Sequence, residues 1–239
     1  MNGPGRNGYG RRQVHLVAAR RTPFLKARGE RGPFSAADLA LAAGRELLLT
    51  TGVPAEQLDE VVLGCVGPSV DEMNIARIVS LRLGCGHAVP AWTVQRNCAS
   101  GMQAIDAAAK DISLGRADLV LAGGTEAMSH APLQWSPELA DWFARFVAAR
   151  RLAERGRLLS RLRPAWFRPV VGLLRALRDP VVNMGMGQTA EELAHRFDIS
   201  REAMDAFASR SHERLLAARK AGRLDEVMTL FTPGGEVLA

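Results

Sequence analysis

The sequence predicts an α/β protein with a mixed, mostly parallel sheet. Short apolar runs alternate with segments of helical periodicity along the first half of the chain. Glycines stand where the helical segments should end, at Gly52, Gly84 and Gly115. The run at 61–66 is continuously apolar, as expected for a strand that is covered on both faces. Strands that alternate with helices predict βαβ units, whose strands run parallel.

The elements of this first half follow from the same patterns. Strands are expected at 14–18, 61–66, 92–94 and 119–122, and helices at 36–49, 75–83 and 98–114. Reactive groups of such sheets gather at the carboxyl ends of the strands.

The pattern changes after Pro132. Residues 137–178 show helical stretches and no strand, and two ordinary helices are expected at 190–197 and 201–221, with Ser200 as a cap and Gly222 as a stop. The predicted organisation is therefore a disordered leader at 1–12, a core domain at 13–131 and a helical domain at 132–239. A basic insert at 138–180 belongs to the helical domain.

Composition limits the function classes. Apolar residues make up 47% of the chain, which fits a globular protein, and no run reaches the roughly 18 to 20 apolar residues of a membrane span. Three scattered cysteines, Cys65, Cys85 and Cys98, show no metal-binding spacing. We therefore expect no metal and a reducing compartment, either the cytoplasm or, in a eukaryote, an organelle matrix.

Charge is unevenly distributed. The net charge is +6, yet ten arginines and a single acidic residue, Glu154, lie between Arg145 and Arg178. The chain has one tyrosine and no nucleic-acid-binding motif, so nucleic acid is not an expected partner. The basic insert needs a local explanation instead.

Cys98 is the candidate nucleophile. It lies between a predicted strand and a predicted helix, near the positive end of the helix dipole, where free backbone N–H groups favour a thiolate over a thiol. The small neighbours Ala99, Ser100 and Gly101 should leave room for a substrate beside the sulfur. Local chemistry alone leaves an inert buried thiol equally open.

Four ordered segments carry a resemblance to a known family. They are Arg21-Thr22-Pro23-Phe24, the stretch 94–105 around Asn97-Cys98-Ala99-Ser100-Gly101, Ala122-Gly123-Gly124-Thr125-Glu126-Ala127-Met128-Ser129 and Met186-Gly187-Gln188-Thr189-Ala190-Glu191. Together they resemble the N-terminal portion of thiolases, from about residue 14 to residue 237. The resemblance implies a core α/β domain that carries an inserted helical loop domain.

The resemblance also implies a function. Thiolases transfer an acyl group between 3-ketoacyl-CoA or acetyl-CoA and CoA, in fatty-acid β-oxidation or acetoacetyl-CoA metabolism. Cys98 matches the cysteine that carries the acyl thioester, and its own backbone N–H is an expected oxyanion donor. Met186 and Gly187 match a loop-domain segment near the thioester and pantetheine. CoA is then a substrate and no cofactor is implied. A homodimer or higher oligomer is expected.

The family's remaining catalytic motifs do not occur in these 239 residues. They are an Asn-Glu-Ala-Phe segment, a Gly-His-Pro segment whose histidine activates the nucleophile, and a Cys-x-Gly-Gly-Gly segment whose cysteine is the acid/base. The five histidines of the chain match none of these roles and are expected to be surface or packing residues. We therefore expect the C-terminal half of the fold to be absent and the chain to be inactive alone. A separate C-terminal half or a β-oxidation partner subunit would complete it.

Two alternatives stay open. A ketoacyl synthase-like condensing enzyme shares the fold and the cysteine but prefers an acyl carrier protein. A non-catalytic or split-enzyme subunit would use the basic insert, in which arginines alternate with leucines at near-helical spacing, to dock on an anionic membrane or a partner. The insert also resembles the corresponding region in thiolase subunits of β-oxidation complexes.

Overall fold

A computed structural model describes residues 12–26 and 30–238. The expected leader at 1–12 lies outside these residues except for Arg12. The helices are α1 Ala36–Thr51, α2 Ile75–Leu83, α3 Ser100–Ser113, α4 Pro137–Ala148, α5 Leu152–Leu159, α6 Gly172–Ala176, α7 Met186–Arg196 and α8 Arg201–Lys220. The strands are β1 Glu60–Gly64, β2 Ala91–Val94, β3 Val120–Gly124, β4 Leu133–Gln134, β5 Val170–Val171, β6 Leu230–Phe231 and β7 Val237–Leu238.

The main sheet has three strands in the order β2-β1-β3, with every pair parallel. The helix α2 connects β1 to β2, and α3 connects β2 to β3. The predicted βαβ organisation is thereby confirmed. Antiparallel pairing among the described residues occurs in two two-stranded sheets, β4-β5 and β6-β7, and in one isolated bridge between Arg178 and Gly185.

The central strand β1 is covered on both faces. Val61 and Leu63 alternate along it and, together with Cys65 just after the strand, join the buried cluster that includes residues of α1 and α2. A Cβ on Gly64 would lie on the opposite face, towards the first turn of α3. This burial on both faces explains why the sequence of β1 is continuously apolar.

Local side chains fix where the helices begin and end. Ser35 and Asp38 form a reciprocal capping box at the start of α1, and Gly52 ends that helix with a φ of +69°. The hydroxyl of Ser200 accepts the N–H of Ala203 at 3.2 Å, as expected for the cap of α8. These local signals explain why the helix limits could be predicted closely.

The helix α3 presents only small side chains to the sheet. Ser100, Ala104 and Ala108 recur every four residues along its inner face, and all three are buried. Its outer face carries Met102 and Ile105, which are exposed. A stripe of small residues lets a helix axis approach a sheet closely, because few side-chain atoms lie between the two backbones.

Three glycines bring the first turn of α3 against the ends of β1 and β3. A Cβ on Gly64 would lie 2.3 Å from the carbonyl carbon and oxygen of Ser100. A Cβ on Gly124 would lie 2.8 Å from the Cα of Gly101. Backbone therefore packs directly on backbone at this point, and any side chain at either position would push the helix away.

The predicted first strand at 14–18 is wrong. This segment is extended but unpaired, and Leu16 and Val17 are 82% and 80% exposed. Within the described residues, the only bridge near it joins Arg21 to Val227. Alternating apolar residues make a strand only where a neighbouring strand supplies hydrogen-bond partners, and no neighbour of 14–18 is described.

Two further expectations need correction. Residues 137–178 were predicted to lack a strand, yet β5 pairs with β4 through Leu133 and Val171. The helix predicted at 190–197 begins earlier, at Met186. The side-chain oxygen of Gln188 accepts the N–H of Gly185 at 2.9 Å, which caps the helix ahead of its apolar periodicity.

The chain divides into two compact units. The first contains the described residues up to His130 together with those from Leu215 onwards, and the second contains Ala131–Arg214. The expected domain limits of 13–131 and 132–239 stay a prediction. Within the described ranges, no helix combines the length and the apolarity that a membrane crossing requires.

A carboxylate ties the beginnings of β1 and β3 together. Asp59 accepts the N–H groups of Asp118 and Leu119 at 2.7 and 2.9 Å. These two hydrogen bonds hold the pKa of Asp59 below its ordinary value, because they stabilise the charged form.

The glycine packing makes a testable prediction. Gly64→Ala and Gly124→Ala should each lower the free energy of unfolding by about 1–3 kcal/mol, because the new methyl group overlaps the backbone of α3. Gly123→Ala is the matched control, since its Cβ would meet only a Leu63 methyl at 3.9 Å. Urea unfolding measures all three. Equal stability of the Gly124 and Gly123 variants would contradict the close packing.

The Asp59 carboxylate makes a prediction about pH. Its folded-state pKa is lowered, so its stabilisation is present above the unfolded-state pKa and is lost as pH falls through the folded-state pKa. Asp59→Asn should therefore lose less stability than the wild type between about pH 6 and about pH 3. Urea midpoints across this range measure the difference. Parallel curves for the two proteins would contradict the assignment.

Candidate active site

The carboxyl edge of the main sheet gathers three groups that can take part in proton or acyl chemistry. Cys65 follows β1, Glu126 follows β3, and Cys98 lies after β2 in the turn that leads into α3. Parallel strands end at the same edge, so the sheet topology places these groups there. The predicted position of Cys98 at a strand-to-helix junction is confirmed.

A tight turn presents Cys98 to solvent. Asn97 adopts a left-handed conformation with a φ of +48°, which asparagine tolerates better than most residues. The N–H of Ala99 bonds to the carbonyl of Arg96 at 3.1 Å, and α3 begins two residues after the cysteine. Cys98 is exposed, so the alternative of an inert buried thiol does not describe it.

The buried side chain of Ser100 stabilises this turn. Its buried hydroxyl accepts the N–H of Arg96 at 2.8 Å and donates to the carbonyl of Asn97 at 2.6 Å. We expected Ser100 and Gly101 to leave room beside the sulfur. Both instead face the sheet, so their small size serves the packing of α3.

The first turn of α3 offers free hydrogen-bond donors. This helix has no side-chain cap. Within the described residues, the backbone N–H groups of Cys98 and Met102 have no acceptor, whereas the N–H of Gln103 bonds to the carbonyl of Ala99 at 2.9 Å. The nitrogen of Gly101 instead lies against the backbone of Gly64 and Gly124. Unpaired N–H groups at a helix start favour a nearby anion or a developing oxyanion. A carbonyl oxygen bound beside Cys98 would have such donors within the same turn.

Cys65 differs sharply from Cys98. It is buried, and its sulfur lies 3.7 Å from a carboxylate oxygen of Glu126. Burial, together with the negative charge of Glu126, raises the pKa of the Cys65 thiol to about 12. Cys65 therefore stays a neutral thiol, and Cys85 is buried in the same apolar cluster.

Glu126, which follows β3, binds the loop after β1 at the carboxyl edge of the sheet. Its two oxygens accept the N–H of Val66 at 2.8 Å and that of Gly67 at 3.4 Å, so it holds the loop that follows β1. The sequence predicts no separate role for Glu126. An acidic residue two positions after a strand-ending glycine pair was the available signal.

His130 is a packing residue, as predicted from the sequence. Its Nδ1 accepts the side-chain N–H of Arg31 at 3.2 Å, and its Nε2 lies 2.8 Å from the carbonyl of Gly32. Both ring nitrogens are therefore occupied within this loop cluster. This assignment places the proton on Nε2.

Met186 and Gly187 form the first turn of α7, in the second compact unit. Met186 is exposed, and a Cβ on Gly187 would meet nothing within 4 Å. Neither position is therefore blocked by neighbouring residues, and a ligand could approach both. Their predicted role towards CoA stays a prediction.

The contrast between the cysteines predicts selective labelling. Iodoacetamide should alkylate Cys98 in the native protein and leave Cys65 and Cys85 unmodified until the protein is unfolded. Peptide mass spectrometry before and after denaturation measures the distribution. Native labelling of Cys65 at a rate similar to that of Cys98 would contradict this geometry.

Comparison with known proteins places these features in one family. The model of the thiolase N-terminal domain matches residues 14–235. A 3-ketoacyl-CoA thiolase of Yersinia pestis (strain Pestoides F) is 35% identical over 222 residues, which cover 92% of this chain and 50% of that protein. The chain therefore spans about half the length of the curated relatives it matches.

Solved structures agree with the sequence comparison. The human mitochondrial 3-ketoacyl-CoA thiolase in complex with CoA is 33% identical, with a TM-score of 0.75 over 92% of this chain and 51% of its own. The Bacillus anthracis acetyl-CoA acetyltransferase is also 33% identical, with a TM-score of 0.71 over 89% of this chain and 49% of its own. With the family model matched over most of its length, this chain belongs to the thiolase family and corresponds to the N-terminal domain.

Proposed function

We propose that this chain takes part in acyl transfer between CoA thioesters, with the acyl group carried on Cys98. One observation carries the proposal. In a chain of the thiolase family, the exposed sulfur of Cys98 stands just before a helix, and the backbone N–H groups of Cys98 and Met102 lack acceptors in the described residues. A nucleophile and donors for an oxyanion then belong to one turn.

The proposed degradative reaction has two steps. In the first, the Cys98 thiolate attacks the keto carbon of a 3-ketoacyl-CoA, and the bond between the α and β carbons breaks. The shortened acyl group stays on sulfur, and the enolate of acetyl-CoA leaves after it takes a proton. In the second, the thiol of another CoA attacks the thioester, takes the acyl group and returns the Cys98 thiol. The synthetic direction runs the same steps in reverse.

This chemistry needs a base for the nucleophile and an acid for the departing carbon. We propose that both come from outside these 239 residues, from a C-terminal thiolase half or a partner subunit. The His130 ring is engaged with Arg31 and Gly32, and Cys65 is held as a neutral thiol by burial and by Glu126. The chain alone should accordingly turn over poorly, since removal of an activating base costs several orders of magnitude in triad enzymes.

The family also suggests the remaining partners. We propose that Met186 and Gly187 contact the pantetheine of CoA, which acts as a substrate, and that no separate cofactor or metal is used. The relatives are named 3-ketoacyl-CoA thiolases, and the human structure contains CoA. We further propose a homodimer or higher oligomer. Three free cysteines support a reducing compartment, the cytoplasm or an organelle matrix.

Of the two alternative functions, a ketoacyl synthase-like enzyme has no observation in its favour beyond the shared fold and the cysteine. A preference for acyl carrier protein over CoA in acyl loading would support it. A non-catalytic subunit would leave Cys98 unacylated under all conditions.

The acyl-thioester proposal predicts a covalent product. The chain incubated with acetyl-CoA, with and without the C-terminal half of a related thiolase, should gain one acetyl group on Cys98. The half should speed this reaction, because it adds the missing base. Intact and peptide mass spectrometry locate the group, and hydroxylamine should release it.

Variants at two cysteines make the test specific. Cys98→Ser should give no hydroxylamine-labile acetyl thioester, whereas Cys85→Ser should acetylate as the wild type does, because Cys85 is buried in the core. As a positive control, the C-terminal half should restore activity to the N-terminal half of the same thiolase. If Cys98 is not acetylated in the presence of such a competent C-terminal half, the proposal is contradicted.

A further inference from the structure

The peptide unit between Asn97 and Cys98 is held in one orientation by Ser100. The backbone N–H of Ser100 donates to the carbonyl of Asn97 at 3.0 Å, and the Ser100 hydroxyl donates to the same oxygen at 2.6 Å. A trans peptide unit is planar, so its N–H group points opposite to its carbonyl. The N–H of Cys98 therefore points away from Ser100, and it has no acceptor within the described residues.

This orientation depends on the left-handed backbone of Asn97, which has a φ of +48°. The carbonyls of Arg96 and Asn97 both accept donors from the turn that follows, since Arg96 accepts the N–H of Ala99 at 3.1 Å. A negative φ at Asn97 would rotate these two carbonyls apart, and one of them would lose its donor. The left-handed conformation thus keeps both hydrogen bonds and, with them, the direction of the Cys98 N–H.

The start of a helix does not require this conformation. Ser35 and Ser136, which cap α1 and α4, have extended backbone. Within the described residues, the other non-glycine residues with a left-handed backbone are Asn183 and Asp198. Asp198 follows the end of α7, where such backbone is common, whereas Asn97 precedes a helix. An unfavourable conformation that is held by its surroundings next to a reactive group points to a role in the reaction.

We propose that Asn97 is a positioning residue for acyl transfer through Cys98. Its left-handed backbone directs the N–H of Cys98 towards the carbonyl oxygen of the incoming acyl group. As the bond between sulfur and the carbonyl carbon forms, the electron pair of the C=O double bond moves to the oxygen, and this N–H stabilises the oxyanion. The oxyanion collapses to the thioester as the leaving group departs. This inference rests on the proposed function, in which Cys98 carries the acyl group.

The backbone of Asn97, rather than its side chain, carries this role. The side chain is exposed, and its Oδ1 accepts a side-chain N–H of Gln95 at 3.4 Å, which is a long hydrogen bond. Such a contact at the surface is too weak to fix the turn. Glycine adopts left-handed backbone without a steric penalty, whereas a residue branched at Cβ is poorly tolerated there. Glycine at position 97 should therefore preserve the function, and valine should impair it.

Two reactions of the same sulfur test the proposal on the full chain. The compound p-nitrophenyl acetate acetylates an exposed thiol through an oxyanion, whereas iodoacetamide alkylates it by direct displacement, without an oxyanion. The ratio of the two rate constants at Cys98 therefore reports the N–H donor and largely cancels changes in the exposure of the sulfur. Peptide mass spectrometry assigns each product to Cys98, and Cys98→Ser gives the background. No acetylation of Cys98 in the wild type would overturn the proposal.

Variants at position 97 separate the backbone from the side chain. Asn97→Gly should keep the ratio of acetylation to alkylation within about threefold of the wild type. Asn97→Val should lower it by about tenfold or more, because the loss of one oxyanion donor costs on the order of 100-fold in enzymes. Asn97→Ala should lie between them, and it takes the place of the valine variant if circular dichroism shows that the latter is unfolded. An unchanged ratio in the folded valine or alanine variant, or an equal loss in Asn97→Gly, would overturn the proposal.

Asp198 offers a matched control in the second compact unit. Its φ is +51°, and its N–H donates to the carbonyl of His195 at 3.3 Å. Asp198→Val should lower the urea midpoint, as Asn97→Val does, because both place a β-branched residue in left-handed backbone. It should leave the ratio of acetylation to alkylation at Cys98 unchanged. An equal fall of the ratio in both valine variants would show a general effect of lost stability and would overturn the proposal.

The role of Asn97 and the proposed function fail in different ways. If p-nitrophenyl acetate acetylates Cys98 but acetyl-CoA does not, even with a competent C-terminal half, the transfer from CoA thioesters is contradicted. The direction of the Cys98 N–H is then still decided by the ratio in the variants at position 97. If acetyl-CoA acetylates Cys98 and the ratio in folded Asn97→Val equals that of the wild type, only the role of Asn97 is contradicted.

Discussion

The site depends on how closely the start of α3 approaches the sheet. At Gly64 and Gly124 the backbone of two strands touches the backbone of a helix, and a methyl group added at either position would overlap that helix. The helix residues at this contact are Ser100 and Gly101. Their small size allows the close approach, and the hydrogen bonds of the Ser100 hydroxyl stabilise it. This approach places the first amides of α3, and the turn that carries Cys98, at the carboxyl edge of the sheet. Site geometry is thus a consequence of packing.

The same edge gives two cysteines opposite chemistry. Cys65 continues the line of β1 into the buried cluster, where loss of water and the charge of Glu126 raise its pKa and keep it neutral. Cys98 leaves the line of β2 through the left-handed turn at Asn97 and faces solvent. Exposure and free amides suit an acyl carrier, whereas burial beside a carboxylate suits a packing residue. The position of each cysteine relative to its strand decides its role.

Local patterns predicted α1 to α3 and β1 to β3, because apolar periodicity and stop signals such as Gly84 act within a few residues. The strand expected at 14–18 failed because a strand also needs a neighbour in space. The role of Glu126 was missed for a similar reason, since its partner Val66 lies 60 positions away. The site was therefore predictable as a position, Cys98, and as a family resemblance. The contacts that build it were not, since backbone-to-backbone packing at Gly64 leaves no local signal.

The most direct test measures how fast iodoacetamide alkylates Cys98 when the packing of α3 on the sheet is altered. In folded Gly124→Ala protein, the new methyl group meets Gly101 and displaces the first turn of α3. The rate constant should then fall towards that of the same cysteine in the denatured chain. Gly123→Ala, which alters the adjacent position without that overlap, should keep the wild-type rate. An unchanged rate in the folded Gly124 variant would contradict the account, because the reactivity of Cys98 would then not depend on the packing of α3 on the sheet.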